Sequence, residues 1–103
     1  MSQASPNTQP RATDRGLALL KVVADHGATN PDGIALADAA RAVDLSASTA
    51  LRQLRSLEAA GFTARSTDGR YLPGPELVRI ARALSTTATL PRLADAALLR
   101  LAA

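Results

Sequence analysis

The chain has 103 residues, 47% hydrophobic but only 2% aromatic, with a net charge of +3. That length has room for one domain with a modest core, filled mainly by Ala and Leu, a composition that suits packed helices better than a sheet-rich fold. With no cysteine there is no disulfide framework and no thiolate zinc site, no apolar run approaches the ~18 residues of a bilayer span, and nothing resembles a secretory leader. The cytoplasm is therefore the expected location.

Of the 12 basic residues only Lys21 is lysine. Arginine makes flat, bidentate contacts with phosphates and guanine edges. A GC-rich gene would also enrich arginine and alanine, so placement has to decide what the arginines are for.

In chain order, residues 1–12 mix Ser, Gln, Pro, Asn and Thr and read as a mobile arm. Thr13 or Asp14 is the expected cap of a first helix, with an apolar stripe of Leu17, Leu20, Val23 and Ala24 and a stop at Gly27. Residues 28–33 are loop chemistry, with Asn30, Pro31, Asp32 and Gly33 in succession. A second helix is expected from Leu36 to Val43, inward at Leu36, Ala39, Ala40 and Val43. Asp44 and Leu45 make a tight turn, Asp being one of the few residues that tolerate the left-handed conformation. Ser46 is a suitable N-cap for a third helix over 47–60, with Gly61 as its stop. Two short helices joined by such a turn make a helix-turn-helix.

Beyond Gly61 the pattern changes to two short extended runs, 62–66 and 70–72, around Thr67-Asp68-Gly69. Asp-Gly between such runs marks a hairpin, here a wing over 63–72. Gly74-Pro75 opens a fourth helix, apolar at Leu77, Ile80, Ala81 and Leu84. After a Ser/Thr-rich break, Pro91 begins a last amphipathic run with Leu93, Ala94, Ala97, Leu98 and Leu101. It ends without a cap, as a linker leading toward a further domain would.

The third helix carries the chemistry. At roughly 100° per residue, Ala50, Leu54 and Leu57 share a buried side, while Ser48, Thr49, Arg52, Arg55 and Ser56 face the other way. From Ser46 through Leu57 there is no acidic residue. A face of hydroxyls and guanidiniums suits the major groove. The base-reading candidates are Ser46, Ser48, Thr49, Arg52 and Gln53; the phosphate candidates are Arg15, Arg55, Ser56, Arg65 and Arg70, the last two flanking the hairpin turn.

In the order and spacing of these residues the chain resembles the N-terminal DNA-binding domain of IclR-type transcription regulators. The matching run starts at 14–20 (Asp-Arg-Gly-Leu-Ala-Leu-Leu) and continues through Leu36-Ala37-Asp38, Ala40-Arg41-Ala42, Leu45-Ser46 and Ser48-Thr49. It is strongest over Leu54-Arg55-Ser56-Leu57-Glu58-Ala59-Ala60-Gly61-Phe62 and closes with Asp68-Gly69-Arg70-Tyr71 and Gly74-Pro75-Glu76-Leu77. The resemblance spans residues 13–86 and implies a mainly α winged helix-turn-helix, a three-helix core with a β-hairpin wing followed by linker helices. It further implies a homodimeric bacterial regulator of double-stranded DNA, whose small-molecule effector binds a separate C-terminal domain reached through residues 87–103. Five positions depart from the family pattern. Ala35 stands where a capping Thr is usual, Gln53 replaces an apolar residue, Leu51 takes a usually polar place, and Leu72-Pro73 replaces a basic-Leu pair. Proline cannot donate to a ladder, so the second wing strand is expected to end early.

Two rival readings stay open: a winged helix used for protein–protein contact, and a DNA-binding domain of another winged family such as the MarR type. Catalysis is not expected: His26 is the single histidine, at a helix end, with no second His or Cys to complete a metal set, and no cofactor motif is present.

Overall fold

The computed structural model describes residues 10–85 and 89–102. Five helices and one hairpin follow in order: α1 (Pro10–Thr29), α2 (Leu36–Ala42), α3 (Ala47–Ala59), β1 (Thr63–Arg65), β2 (Tyr71–Pro73), α4 (Pro75–Leu84) and α5 (Thr89–Ala102). This is a winged helix-turn-helix followed by two further helices. α1 packs against α2, α3 and β2, α2 packs on α3, and β1 is held between α3 and α4.

The first helix differs from its expected limits at both ends. Thr13 and Asp14 lie inside it, and Pro10–Ala12, expected as arm, form its first turn; Pro is accepted there and Arg and Ala are strong helix formers. Residues 1–9 of that arm lie outside the described residues. Nor does Gly27 stop the helix, which runs to Thr29. The stop comes at Asn30, whose N–H still bonds the His26 carbonyl at 2.9 Å, because the following Pro31 disfavours helical backbone before it. Gly27 serves packing instead: a Cβ there would lie 2.7 Å from Pro73 Cδ.

The buried stripe of α1 agrees with expectation at Val23, with Leu20 and Ala24 half-buried, and departs from it at one end. Leu19 and Val23 are fully buried, whereas Leu17 is 52% exposed. Both sets have helical spacing, and contact with α3 and β2 selects between them. Around Leu19 and Val23 gather Ile34, Ala39, Ala40, Ala50, Leu54 and Tyr71, with Leu36, Val43, Leu45 and Leu57 packed against them. Small alanines at 39, 40 and 50 let α2 and α3 approach closely.

Two helix ends use the same device. After α2, Asp44 takes φ 58°; its N–H bonds the Arg41 carbonyl at 3.2 Å and that of Leu45 bonds Ala40 at 2.9 Å. After α3, Gly61 takes φ 86°, its N–H bonding Glu58 and that of Phe62 bonding Leu57, both at 2.9 Å. Each pattern is a Schellman motif, which satisfies the last carbonyls and reverses the chain. Asp44 thereby sets the angle between α2 and α3, while the start of α2 at Ala35 has no side-chain cap.

The hairpin is antiparallel in the register Thr63↔Pro73, Ala64↔Leu72, Arg65↔Tyr71. Contrary to the expected early end, Pro73 belongs to β2. Tyr71 sends its N–H away from β1, to the Ile34 carbonyl at 2.8 Å. Two residues on, the Pro73 nitrogen points the same way, so no bond to β1 is lost. The Ile34–Tyr71 bridge joins the α1–α2 loop to the wing, a third extended segment that the sequence pattern does not reveal. α4 opens with Gly74 as N-cap and Pro75 in its first turn, as expected. α5 begins at Thr89, with Pro91 in its first turn, where its missing N–H costs nothing; Leu93 is 50% exposed. Residues 87, 88 and 103 of the expected linker, and the side chains of 97–102, lie outside the described set.

Gly74 is the most tightly enclosed of the glycines. A Cβ there would collide with the Gly61 carbonyl oxygen and lie 2.8 Å from the Thr63 nitrogen, backbone atoms that cannot swing aside. Gly74→Ala is expected to destabilise the fold by about 2 kcal/mol or more, read as a lowered midpoint in thermal denaturation.

Candidate nucleic-acid interface

The interface is assembled on α3. Ser46 caps the helix, its Oγ accepting the Thr49 N–H at 3.2 Å, a bond of the kind worth about 1 kcal/mol. The same hydroxyl donates to Thr49 Oγ1 at 3.0 Å and lies 3.3 Å from Ser48 Oγ. The N-terminus of α3 thus presents a small cluster of linked hydroxyls. With Ala50 and Leu54 buried, the helix is pinned on one side and its rotation is fixed.

The opposite side forms one shallow concavity lined by Ser48, Leu51, Arg52, Arg55, Ser56 and Ala59. These six follow one stripe about 16 Å long at 1.5 Å per residue. Arg52 and Arg55 are exposed, and neither has a hydrogen bond or carboxylate partner among the described residues. Leu51 is half-buried on the same stripe.

The remaining sequence candidates are distributed differently. Gln53 faces α1: a Cβ at Gly16 would lie 3.3 Å from its Oε1. That contact sets Gln53 in the α1–α3 seam, apart from Arg52, and brings the turn bearing Arg15 alongside α3. Arg65 and Arg70 are both already engaged. Arg70 donates from Nη1 to the Gly33 carbonyl at 3.3 Å and lies 3.7 Å from Asp68. Arg65 lies 3.6 Å from Glu58 of α3, with its guanidinium 5.4 Å from the Tyr71 ring centre.

Three contributors escaped the sequence reading. Thr63, only 1% exposed, donates its hydroxyl to the Leu54 carbonyl at 3.4 Å and so ties the wing to α3. Tyr71 is 2% exposed and belongs to the core. Glu58 reaches the wing across the helix end. Among these only Tyr71, the single tyrosine in a chain poor in aromatics, had a signal, since a lone large ring in a small core is usually buried.

The wing turn is held from within. Gly69 takes φ 83°, and the Ser66 carbonyl accepts its N–H at 3.0 Å. Ser66 Oγ accepts the Arg70 N–H at 3.0 Å and donates to Asp68 Oδ1. His26, in the last turn of α1, has a buried Nε2 without a hydrogen-bond partner. No group of three or more His, Asp or Glu able to hold a metal occurs among the described residues. No described helix is long and apolar enough to cross a membrane.

A capped, rotationally fixed helix with an acid-free cationic face, preceded by helix and turn and followed by a wing, is the architecture of a winged helix-turn-helix DNA-binding domain. The family model for the IclR helix-turn-helix domain matches residues 12–66. The chain therefore belongs to the IclR family and is a DNA-binding transcription regulator. No match is found among curated proteins or solved structures. The matched segment runs from α1 to the end of β1 and leaves β2, α4 and α5 beyond it.

The Asp68 carboxyl is held below its ordinary value, chiefly by the Ser66 hydroxyl, with desolvation opposing and its own backbone amide and the Arg70 charge adding. A lowered carboxyl stabilises the folded wing above the ordinary carboxylate range, and that contribution is lost as pH falls through the folded value. Ser66→Ala should bring the Asp68 titration back up toward normal, as followed by carboxyl NMR; an unmoved midpoint would show that the hydroxyl does not set it.

Proposed function

We propose that α3 enters the major groove, with Ser48, Thr49 and Arg52 reading base edges and Arg55 and Ser56 on the flanking phosphates. The observation that carries this reading is the pair of exposed, partnerless guanidiniums of Arg52 and Arg55 on one stripe of a helix whose other side is buried. A guanidinium without an internal partner is free to exchange water for a guanine edge or a phosphate. Base contacts concentrate near the start of a recognition helix, which favours Ser48 and Arg52. Ser46 lies there too, though its hydroxyl is largely committed to the cap. Gln53, turned to Gly16, serves the helix seam on this reading. Arg15, Arg65 and Arg70 lie on the periphery and supply phosphate contacts, which orient the domain without reading sequence.

The unit extends over residues 13–86, with α4 closing the wing and 87–103 leading on as a linker. The regulator acts in the cytoplasm as a homodimer, its two heads on half-sites about one DNA turn, ~34 Å, apart. A small-molecule effector acts through a domain other than this one.

Arg52→Ala is expected to weaken binding to a sequence selected from a random duplex pool by about 1–3 kcal/mol and to relax preference at one base position. Unchanged affinity and preference would put the reading face elsewhere. The wing behaves otherwise: Arg70→Gln should lower affinity for selected and random duplex alike and reduce the salt slope by about one ion. A loss confined to the selected sequence would make Arg70 a base reader.

A further inference from the structure

Glu58 is the only acidic residue between Asp44 and Asp68, a stretch that contains the whole of α3 and β1. It lies one turn beyond Arg55 and one helical repeat beyond Leu51, close to the face proposed to meet DNA. A carboxylate beside an approaching polyanion lowers attraction, so its placement calls for a compensating role.

Its partner is on the wing. Glu58 Oε1 is 3.6 Å from Arg65 Nε, a contact from the last turns of α3 to the end of β1. Arg65 stands directly opposite Tyr71 in the hairpin, so the two side chains rise from the same face. That face is the inward one, since Tyr71 is 2% exposed and Thr63, two residues before Arg65, is 1% exposed. The Arg65 stem must therefore cross the edge of the core, and its guanidinium emerges 5.4 Å from the Tyr71 ring centre, within cation–π range. The ring is set by its burial, and the carboxylate comes from a helical backbone. Between them the Arg65 cation sits in the crevice where the wing meets α3.

We propose that Glu58 is a positioning residue for DNA recognition: acting through Arg65, it fixes where the wing's cation meets a phosphate relative to the reading face of α3. The proposal rests on the DNA-binding reading above. A phosphate contact at a fixed distance from the base-reading residues holds the register in which those residues meet their bases. An untethered arginine finds a phosphate in many registers, which keeps general affinity and loses discrimination. Glu58 thus gives up some attraction for sequence preference. Exposed ion pairs add little to stability, so its removal leaves the fold in place.

The test uses the full chain, random duplex, and the best sequence from a random-pool selection made with the wild type. Glu58→Gln should keep the thermal midpoint, keep or raise affinity for random duplex, and cut the ratio of selected to random binding by roughly fivefold. In an Arg65→Gln background the same change should leave the ratio unaltered, because Glu58 acts through Arg65. With one tyrosine and no tryptophan in the chain, the tyrosine band of the near-ultraviolet circular dichroism reports Tyr71 alone, Phe62 absorbing at shorter wavelength, and that band should change in Glu58→Gln without DNA. A wild-type ratio in Glu58→Gln, or an equal effect with and without Arg65, would overturn the proposal and leave the DNA-binding reading intact. A wild type that selects no sequence from the pool would overturn both.

Discussion

The fold turns on the burial of one residue, Tyr71. Its backbone joins three segments, exchanging both hydrogen bonds with Ile34 and standing opposite Arg65 in the hairpin. Its ring is buried in a core otherwise made of small and aliphatic side chains. In a domain of this size one aromatic ring is a large share of the buried apolar area. By anchoring β2 on both sides it also fixes the wing, which would otherwise be an isolated two-stranded ribbon, marginal in water.

From that anchor the interface geometry follows through short links. Thr63 holds β1 to the Leu54 carbonyl, Gly74 lets the chain fold back against Gly61, and Gly61 itself ends α3. Each link acts on the same junction between the C-terminal half of α3 and the hairpin. At the other end of the helix, Asp44 and Ser46 fix where α3 starts. Helix and wing are thus one rigid surface, the condition under which phosphate contacts can hold a register. Ion pairs follow the same division: Arg65 and Arg70 on the wing have carboxylate partners, while Arg52 and Arg55 on the helix have none among the described residues.

α4 stands in a different physical situation. α4 touches the domain through β1 yet buries none of its residues, and Val78 remains 42% exposed. A helix that short draws most of its stability from packing an apolar face, so α4 contributes little to the core that supports α3.

Local chemistry was enough to locate most of the parts. The Ser46 cap, the αL turn at Asp44, the Asp-Gly hairpin and the Pro75 start are each written in a few adjacent residues, because capping and turn formation are short-range. The buried side of α3 was legible for the same reason: Ala50 and Leu54 leave one apolar stripe and no rival. α1 was legible only in part: Val23 is buried as expected, but Leu17, Leu19, Leu20, Val22 and Val23 surround the helix, and only contact with α3 and β2 selected Leu19 over Leu17. Gly27 looked like a terminator because glycine often is one, yet its missing side chain answers to Pro73, 46 positions away in sequence. The Ile34–Tyr71 bridge, the turn of Gln53 toward Gly16 and the reach of Glu58 to Arg65 were likewise decided by tertiary structure alone. Each joins residues on different elements, and the pairing energy of distant partners leaves no periodic trace along the chain.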